Sequence, residues 1–119
     1  MEIVELESPK QWLNLLESSS ETPVLVFKHS TSCPISAEAY EQWLKYLHKN
    51  PNPEIEYALV HVIESRPVSN LIAESLNVKH ESPQALFVQG RRAVWHASHW
   101  RITESMLLEK LNTDSVTEM

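Results

Sequence analysis

The sequence predicts an α/β domain built on one mixed sheet. Short apolar segments rich in β-branched and aromatic residues alternate with longer segments of helical periodicity, in the order β-α-β-α-β-α-β-β-α. Strands separated by helices, followed by a terminal hairpin and helix, require a mixed central sheet with helices on both faces. With 42% apolar residues and no internal repeat, residues 1–119 are sufficient for a single domain with its own core.

The first quarter of the chain predicts a strand, a helix and a second strand. Residues 3–6 form a short alternating pattern that is typical of a strand. Ser8 and Gln11 have the spacing of a capping box with a proline between them, and the helix that they begin runs to about Ser18. Another proline then opens the β-branched and aromatic strand at residues 24–27.

The segment at residues 34–48 predicts the longest helix. It contains many good helix formers and no glycine or second proline, and the Asn-Pro-Asn-Pro sequence at residues 50–53 ends it. Its apolar residues fall on two neighbouring stripes, through which we expect the helix to pack on the sheet. One stripe is Ala37, Tyr40, Leu44 and Leu47, and the flanking stripe is Ala39, Trp43 and Tyr46.

The middle of the chain predicts a buried strand and a third helix. Residues 55–63 carry apolar side chains on both faces, as a central or parallel strand does, and His61 within them is expected to be structural. Ser65 can cap the next helix, which we expect to end at Asn77 in a left-handed conformation.

A hairpin and a helix complete the predicted fold. Residues 84–88 and 93–97 form two apolar strands, and the turn at residues 89–92 joins them. Thr103 can cap the final helix, and the tail from about residue 112 to 119 is expected to fray.

Composition and charge argue against several classes of function. The net charge is −6 and the longest basic run is Arg91-Arg92, which argues against general nucleic-acid binding. The chain has a single glycine, Gly90, so it contains no glycine-rich loop of the kind that binds phosphates and dinucleotides. No apolar run approaches the length of a membrane span, and residues 1–5 lack the features of a secretion signal. We therefore expect a cytoplasmic protein in a reducing compartment.

The only cysteine, Cys33, lies where an apolar strand runs through a polar loop into the start of the longest helix. The first helical N–H groups lack partners and the helix dipole places positive charge there, so both favour a thiolate. Pro34 suits the first helical position because its missing N–H is not needed there. We therefore predict that Cys33 is reactive; the alternative for a lone cysteine is a buried, inert side chain.

Ser36 stands where the familiar redox pair Cys-x-x-Cys would have its second sulfur. The chain therefore contains no resolving cysteine, and Ser36 can at most hydrogen-bond the Cys33 thiolate. The alternative interpretation is an ordinary serine in the first helical turn.

A strand, a cysteine-containing loop, a long helix and a later proline directly before an apolar strand resemble the thioredoxin fold over nearly the whole chain. The resemblance implies that Pro83 follows a cis peptide bond and lies beside Cys33. It also implies that Ser82 offers backbone groups to a bound thiol compound. The residues themselves show only an X-Pro bond, for which the trans form is the usual one.

The motif Ser32-Cys33-Pro34-Ile35-Ser36 is similar to the Thr-Cys-Pro-Ile-Ser motif of the monothiol bacilliredoxins, cytoplasmic proteins of bacillithiol-producing bacteria. The last four residues match, and Ser32 keeps the hydroxyl of the threonine that it replaces. The resemblance implies a monothiol oxidoreductase that removes bacillithiol from mixed disulfides on oxidised proteins. It implies no bound cofactor, and bacillithiol is the co-substrate.

The expected mechanism is attack by Cys33 on such a mixed disulfide, which leaves the small thiol on Cys33. A low-molecular-weight thiol or a second redox protein must then regenerate Cys33. Because bacillithiol carries two malate carboxylates, we expect a cationic or amide-rich surface nearby, with Lys28 as one candidate. His29 is a second groove candidate, since it could stabilise the thiolate. Arg91 and Arg92 lie on the hairpin turn, where solvated charges are the better interpretation.

The sequence suggests two kinds of metal site. Six histidines suggest a metal site, but their spacing around one cysteine gives no four-ligand set, and we predict none. An iron–sulfur cluster shared between two monothiol chains would follow the glutaredoxin-like relatives. Their Cys-Gly-Phe-Ser motif differs from this one at Pro34 and Ile35.

A redox-inactive thioredoxin-fold interaction module in the stress response is the alternative from another functional class. The missing second cysteine favours it, whereas Cys33 at a helix start counts against it. An aromatic group after the hairpin is expected to pack mainly in the core, with a protein-docking surface as the alternative. Its members are Trp95, His96, His99 and Trp100.

Overall fold

A computed structural model describes residues 2–112 of the chain. The elements follow the predicted order, with a one-turn 3₁₀ helix added before the last helix. They are β1 (Ile3–Glu5), α1 (Pro9–Ser18), β2 (Val24–His29), α2 (Pro34–Lys49), β3 (Glu56–His61), α3 (Arg66–Leu76), β4 (Gln84–Gln89), β5 (Arg92–Ser98), the 3₁₀ turn (His99–Arg101) and α4 (Glu104–Leu111).

The five strands form one mixed sheet in the order β1-β3-β2-β4-β5. β3 pairs in parallel with both β1 and β2, whereas β4 runs antiparallel to β2 and β5. The ends of β2, β3 and β5 and the start of β4 therefore meet at one edge of the sheet. The loops that leave or enter these strands are close neighbours there, and we call this edge the active edge.

The sheet separates two hydrophobic cores, so the predicted α/β architecture with helices on both faces is confirmed. α1 and α3 cover one face, and α2 and α4 cover the other. Successive residues of a strand point to opposite faces, which assigns alternate side chains of β2 to different cores. The first core includes Trp12, Val26, Val60, Ile72 and Leu86, and the second includes Phe27, Trp43, Tyr57, Phe87 and Leu107.

Local signals in the sequence determine several of the helix ends. The capping box predicted at the start of α1 is present, and Thr103 accepts a hydrogen bond from the Met106 N–H at the start of α4. Asn77 ends α3 in the predicted left-handed conformation, with φ 56°. Gly90 and Arg91 have φ 59° and 64°, as the two central residues of a tight hairpin turn require.

Two predicted details are wrong, one in the bounds of a strand and one in the burial of a helix face. β3 spans Glu56–His61 rather than residues 55–63, because the chain turns at the active edge once β2 and β1 no longer pair with it. On α2, Ala37 and Leu44 are exposed, and the stripe that faces the core includes Trp43 instead. The two stripes are adjacent on the helix, so sequence spacing alone did not determine which one meets the sheet.

The predicted tail falls almost entirely outside the described residues. Asn112 is described, and its side chain donates to the Asn50 carbonyl oxygen at 2.8 Å and accepts from the Tyr46 hydroxyl at 2.8 Å. Within residues 2–112, no helix is both long enough and apolar enough to cross a membrane.

A buried tyrosine pair provides a test of the core on the α2 side. The Tyr57 hydroxyl lies 2.8 Å from the Tyr46 hydroxyl and accepts a hydrogen bond from the Asn52 N–H at 2.9 Å. We predict that Tyr57→Phe lowers the free energy of unfolding by about 1–3 kcal/mol, because it removes the acceptor of Asn52. Urea denaturation would measure this. Tyr40→Phe, at a half-buried tyrosine, is the control, and equal losses in both variants would contradict the prediction.

Candidate functional site

Cys33 is the N-cap residue of α2 and lies at the active edge. Its backbone is extended, with φ −115° and ψ 121°, and its carbonyl oxygen accepts the Ala37 N–H at 3.0 Å. Its own N–H donates to the Ser30 carbonyl oxygen at 3.2 Å, and its side chain is partly exposed. No side chain among residues 2–112 caps this helix, so the first-turn N–H groups are available to an anionic sulfur.

Pro34 and Ser32 flank the cysteine, and both are exposed. Pro34 occupies the first turn of α2, as predicted from its fixed φ. Ser32 lies in the loop, where its Oγ is 3.4 Å from the Ser30 Oγ. The residues that border the thiol therefore leave it open to a large substrate.

Ser36 is fully buried behind the cysteine, in the first turn of α2. Its hydroxyl oxygen accepts the Ser30 N–H at 2.9 Å and lies 2.8 Å from His29 Nδ1. The hydroxyl that could at most have bonded the thiolate is thus already bonded to the loop and to β2. Ser36 fixes the 30–33 loop against the helix start.

The structure places His29 in the interior, so the prediction that it lines the substrate groove is wrong. Its ring is buried beneath α2 and stacks on Tyr40, with ring centroids 4.5 Å apart. Burial, together with the nearby His61, lowers the pKa of His29, and Glu64 opposes the shift. A neutral His29 can accept a hydrogen bond from the Ser36 hydroxyl at Nδ1.

Lys28 is also buried, which contradicts its predicted role as an exposed cation near the thiol. The side chain has no exposed surface, and its Nζ donates to the Ser69 carbonyl oxygen at 3.0 Å and to His80 Nδ1 at 3.1 Å. It lies on the α1 and α3 side of the sheet. Burial lowers the pKa of Lys28 to about 8.

The Ser82–Pro83 peptide bond is cis, as the resemblance implies. The Pro83 carbonyl oxygen accepts the His99 N–H at 3.1 Å, and His99 Nδ1 lies 3.3 Å from Glu81 Oε1. His99 has φ 55°, a left-handed conformation that turns the chain out of β5. The Ser82 Oγ is buried without a hydrogen-bond partner among the described residues. The 3₁₀ turn is therefore joined directly to the cis-proline loop.

A groove of about 380 Å³ lies between the start of α2 and the 3₁₀ turn. It begins at Pro34, next to Cys33, and its far wall is His99 and Trp100. Trp100 is 68% exposed, so the expectation that it packs in the core is wrong. In the described part of the chain the groove includes Glu38 and Gln42 but no lysine or arginine. This contradicts a cationic lining, whereas Gln42 supplies one side-chain amide of the amide-rich alternative.

The two arginines of the hairpin lie away from this site. Arg91 is on the β4–β5 turn at the opposite edge of the sheet, where it pairs with Glu17 of α1 at 2.9 Å. Arg92 is exposed on the same turn, so both fit the interpretation as solvated charges. Residues 2–112 contain no group of three or more histidine, cysteine or acidic side chains that could hold a metal ion.

Ser69 and His80 contact Lys28 near the active edge, and neither was expected there from the sequence. His80 lies three residues before Pro83, where nothing local indicates a buried contact. The burial of Lys28 could have been predicted, because side chains two residues apart on a strand share a face and Val26 is apolar. The neighbours that it would meet there depend on helix placement, which sequence periodicity does not give.

Comparison with known proteins agrees with this geometry. The profile of the family described as Monothiol bacilliredoxin BrxC matches residues 4–107. A solved structure assigned as an oxidoreductase with a thioredoxin fold is 36% identical, with 90% of this chain and 91% of that chain covered and a TM-score of 0.78. Together they support a thiol-disulfide oxidoreductase role and confirm the resemblance seen in the Ser32–Ser36 motif.

More distant structures show the fold alone. Thioredoxin from Fasciola hepatica is 17% identical, with 93% of this chain and 98% of that chain covered and a TM-score of 0.71. Thioredoxin from Trypanosoma brucei brucei is 15% identical, with 99% and 93% covered and a TM-score of 0.73. The predicted thioredoxin-like fold is confirmed.

The Ser36 hydroxyl provides the first test of the site. We predict that Ser36→Ala lowers the free energy of unfolding by about 1–3 kcal/mol, because it leaves the partly buried Ser30 N–H and the buried His29 Nδ1 without a partner. Chemical denaturation would measure the loss. Ser32→Ala, at an exposed serine in the same loop, is the matched control. A Ser36→Ala variant that is as stable as the control would show that these bonds contribute nothing.

The lowered pKa of His29 predicts an acid-sensitive fold. Below its ordinary pKa of 6.5 the unfolded chain takes up a proton at His29 that the folded protein resists, so stability falls as the pH drops from about 7 to 5. In His29→Gln this part of the loss disappears, and the plot of unfolding free energy against pH becomes flatter than in the wild type. His48→Gln, at an exposed histidine, is the control. Parallel curves for wild type and His29→Gln would contradict the assignment.

Proposed function

Since this chain belongs to the monothiol bacilliredoxin family, we propose that Cys33 removes bacillithiol from mixed disulfides on oxidised proteins of the cytoplasm. One observation carries the proposal. The sole thiol of the chain is partly exposed at the start of α2, and the next residue, Pro34, lines a groove. A buried structural cysteine would have neither the open N–H groups nor the adjacent groove.

The proposed first step is a thiol–disulfide exchange. The Cys33 thiolate attacks the bacillithiol sulfur of the mixed disulfide, and a new S–S bond forms between Cys33 and bacillithiol. The bond to the target protein breaks, and the target cysteine leaves as a thiolate that takes a proton from solvent. The target is reduced and Cys33 is oxidised, so the electrons balance without a cofactor.

The second step needs a thiol from outside the chain. Ser36 stands at the place of a resolving sulfur, and a hydroxyl cannot displace a disulfide. The thiolate of a low-molecular-weight thiol or of a second redox protein therefore attacks the bacillithiol sulfur of the Cys33–bacillithiol disulfide. It forms a new disulfide with bacillithiol, and Cys33 leaves as a thiolate. The partners of the protein are accordingly bacillithiolated proteins and one reducing thiol.

The chain's own groups favour the first step in two ways. Partial positive charge at the start of α2 stabilises the attacking thiolate, because the first-turn N–H groups face outward. The Ser36 bonds to Ser30 and His29 hold the 30–33 loop, so the sulfur is presented in one geometry. The groove lined by Pro34 and Trp100 is apolar and acidic, which suits the target protein better than the malate carboxylates of bacillithiol.

Intact-protein mass spectrometry tests the proposal. The reduced protein is mixed with a bacillithiolated test protein, and we predict that the wild type gains the mass of one bacillithiol while the test protein loses it. Cys33→Ala transfers nothing, because it has no nucleophile. Ser32→Ala, which keeps the thiol, is the matched control and transfers at a rate close to that of the wild type.

The same experiment separates the alternatives. Test proteins that carry cysteine or coenzyme A in place of bacillithiol show whether the small thiol is recognised, and equal rates for all three would overturn the bacillithiol assignment. If Cys33 stays unmodified while the two proteins still bind, the redox role is wrong. The interaction-module function then takes its place.

A further inference from the structure

Lys28 occupies an unusual position for a lysine. It is fully buried in the sheet, and no carboxylate among residues 2–112 forms a salt bridge with it. Removing an ammonium group from water costs several kcal/mol, and replacing a buried charge by a well-packed apolar side chain is often neutral or stabilising. Stability therefore gives no reason for a lysine here, and its contacts indicate another role.

The two partners of the Lys28 ammonium group belong to different elements. The Ser69 carbonyl oxygen lies on α3, whereas His80 lies in the loop that leads to Pro83. An ammonium group can only donate, so His80 accepts at Nδ1 and its ring proton lies on Nε2. The Ser69 hydroxyl is also 3.3 Å from this nitrogen. One side chain of β2 thus ties the helix and the loop together.

The charges around the pair are consistent with this assignment. Burial lowers the pKa of His80, with further lowering by Lys28 and Arg66 and opposition from Glu81, so the imidazole is neutral and free to accept. Gln84 lies opposite Lys28 in the sheet register, and its Nε2 donates to the Lys79 carbonyl oxygen at 3.1 Å. The loop of residues 77–83 is therefore held by hydrogen bonds from two strands of the sheet, β2 and β4.

The 3₁₀ turn holds the same loop at its Pro83 end. The His99 N–H bonds the Pro83 carbonyl oxygen, and His99 also lines the groove that starts at Pro34. The position of the Pro83 backbone relative to the Cys33 loop therefore depends on contacts from the sheet and from the 3₁₀ turn. His80 is the one anchor whose partner comes from the strand that leads into Cys33.

We propose that Lys28 is a positioning residue for the exchange reaction, and that it acts through His80 to hold the cis-Pro83 loop in register with Cys33. This inference rests on the proposed function for its effect on rate, but not for its effect on the loop. Lys28 itself touches neither substrate nor sulfur in this scheme. Its removal misplaces the docking backbone and leaves the nucleophile as it was.

Lys28→Met is the main variant, and Lys79→Met, at an exposed lysine in the same loop, is its matched control. Transfer from a bacillithiolated test protein is expected to slow by about tenfold or more in Lys28→Met, since small misplacements of reacting groups have effects of this size. Alkylation of Cys33 by iodoacetamide, which needs no docking, stays within about twofold of wild type in that variant. Urea denaturation shows only a small change in stability, because removal of a buried charge offsets the loss of the donor to Ser69 and His80.

His80 variants keep the test decisive if Lys28→Met folds poorly. His80→Asn keeps an acceptor near the position of Nδ1 and retains most of the wild-type rate. His80→Leu removes the acceptor and slows transfer as Lys28→Met does. The double variant Lys28→Met/His80→Leu is no slower than the slower single variant, because both changes break the same contact. Additive losses would show that the two residues act independently and would overturn the proposal.

Amide hydrogen exchange separates this inference from the proposed function. In Lys28→Met the N–H groups of Glu81 and Ser82 exchange about tenfold faster, while those in the middle of β2 do not change. If they exchange as in the wild type, Lys28 does not hold the loop and the proposal fails. Wild-type protein that transfers no bacillithiol would count against the function alone, since the loop measurement still decides the role of Lys28. A parallel fall in iodoacetamide alkylation would mean that Lys28 acts on the thiolate instead.

Discussion

The structure depends on the complete burial of β2. This strand has a hydrogen-bonded neighbour on each side and helices over each face, so all six of its residues are buried. Side chains that alternate along it must satisfy two separate cores. Where the strand ends, the same alternation sends Lys28 to the α3 side and His29 to the α2 side. Cys33 follows His29 by four residues, on a loop that His29 holds through Ser36.

Each of these polar residues meets its hydrogen-bonding needs by fastening a different loop. His29 contacts Ser36, which in turn holds the Ser30 N–H and so the loop that carries the thiol. Lys28 contacts His80 and so the loop that ends in the cis proline. Buried polar groups are costly unless they are paired, and here the pairing fastens the two loops on which a substrate disulfide would lie. The site is thus supported from the interior of the sheet rather than from its surface.

The fold could be predicted from the sequence because its signals are local. Capping residues, prolines and the hairpin glycine mark the element ends within a few residues, and the alternation of strands with helices leaves few topologies. The thiol and its helix could be predicted for the same reason. The surroundings of the thiol could not, because they combine segments that are distant in the chain. Lys28 was assigned to the surface since lysine is rarely buried, and Trp100 to the core since tryptophan usually is. Lys28 is buried because it shares a strand face with Val26. Trp100 is exposed because the left-handed His99 turns the chain out of β5 just before it.

Ser36 has a consequence for kinetics that follows from its burial. In a dithiol protein the second sulfur is tethered beside the first and acts at a high effective concentration, so release of the product is intramolecular. Here the tethered group is a hydroxyl enclosed between α2 and β2, where no sulfur from solution can take its place. Turnover would then be second order in an external reductant. The fraction of the protein that carries the small thiol on Cys33 would then fall as the concentration of the external reductant rises.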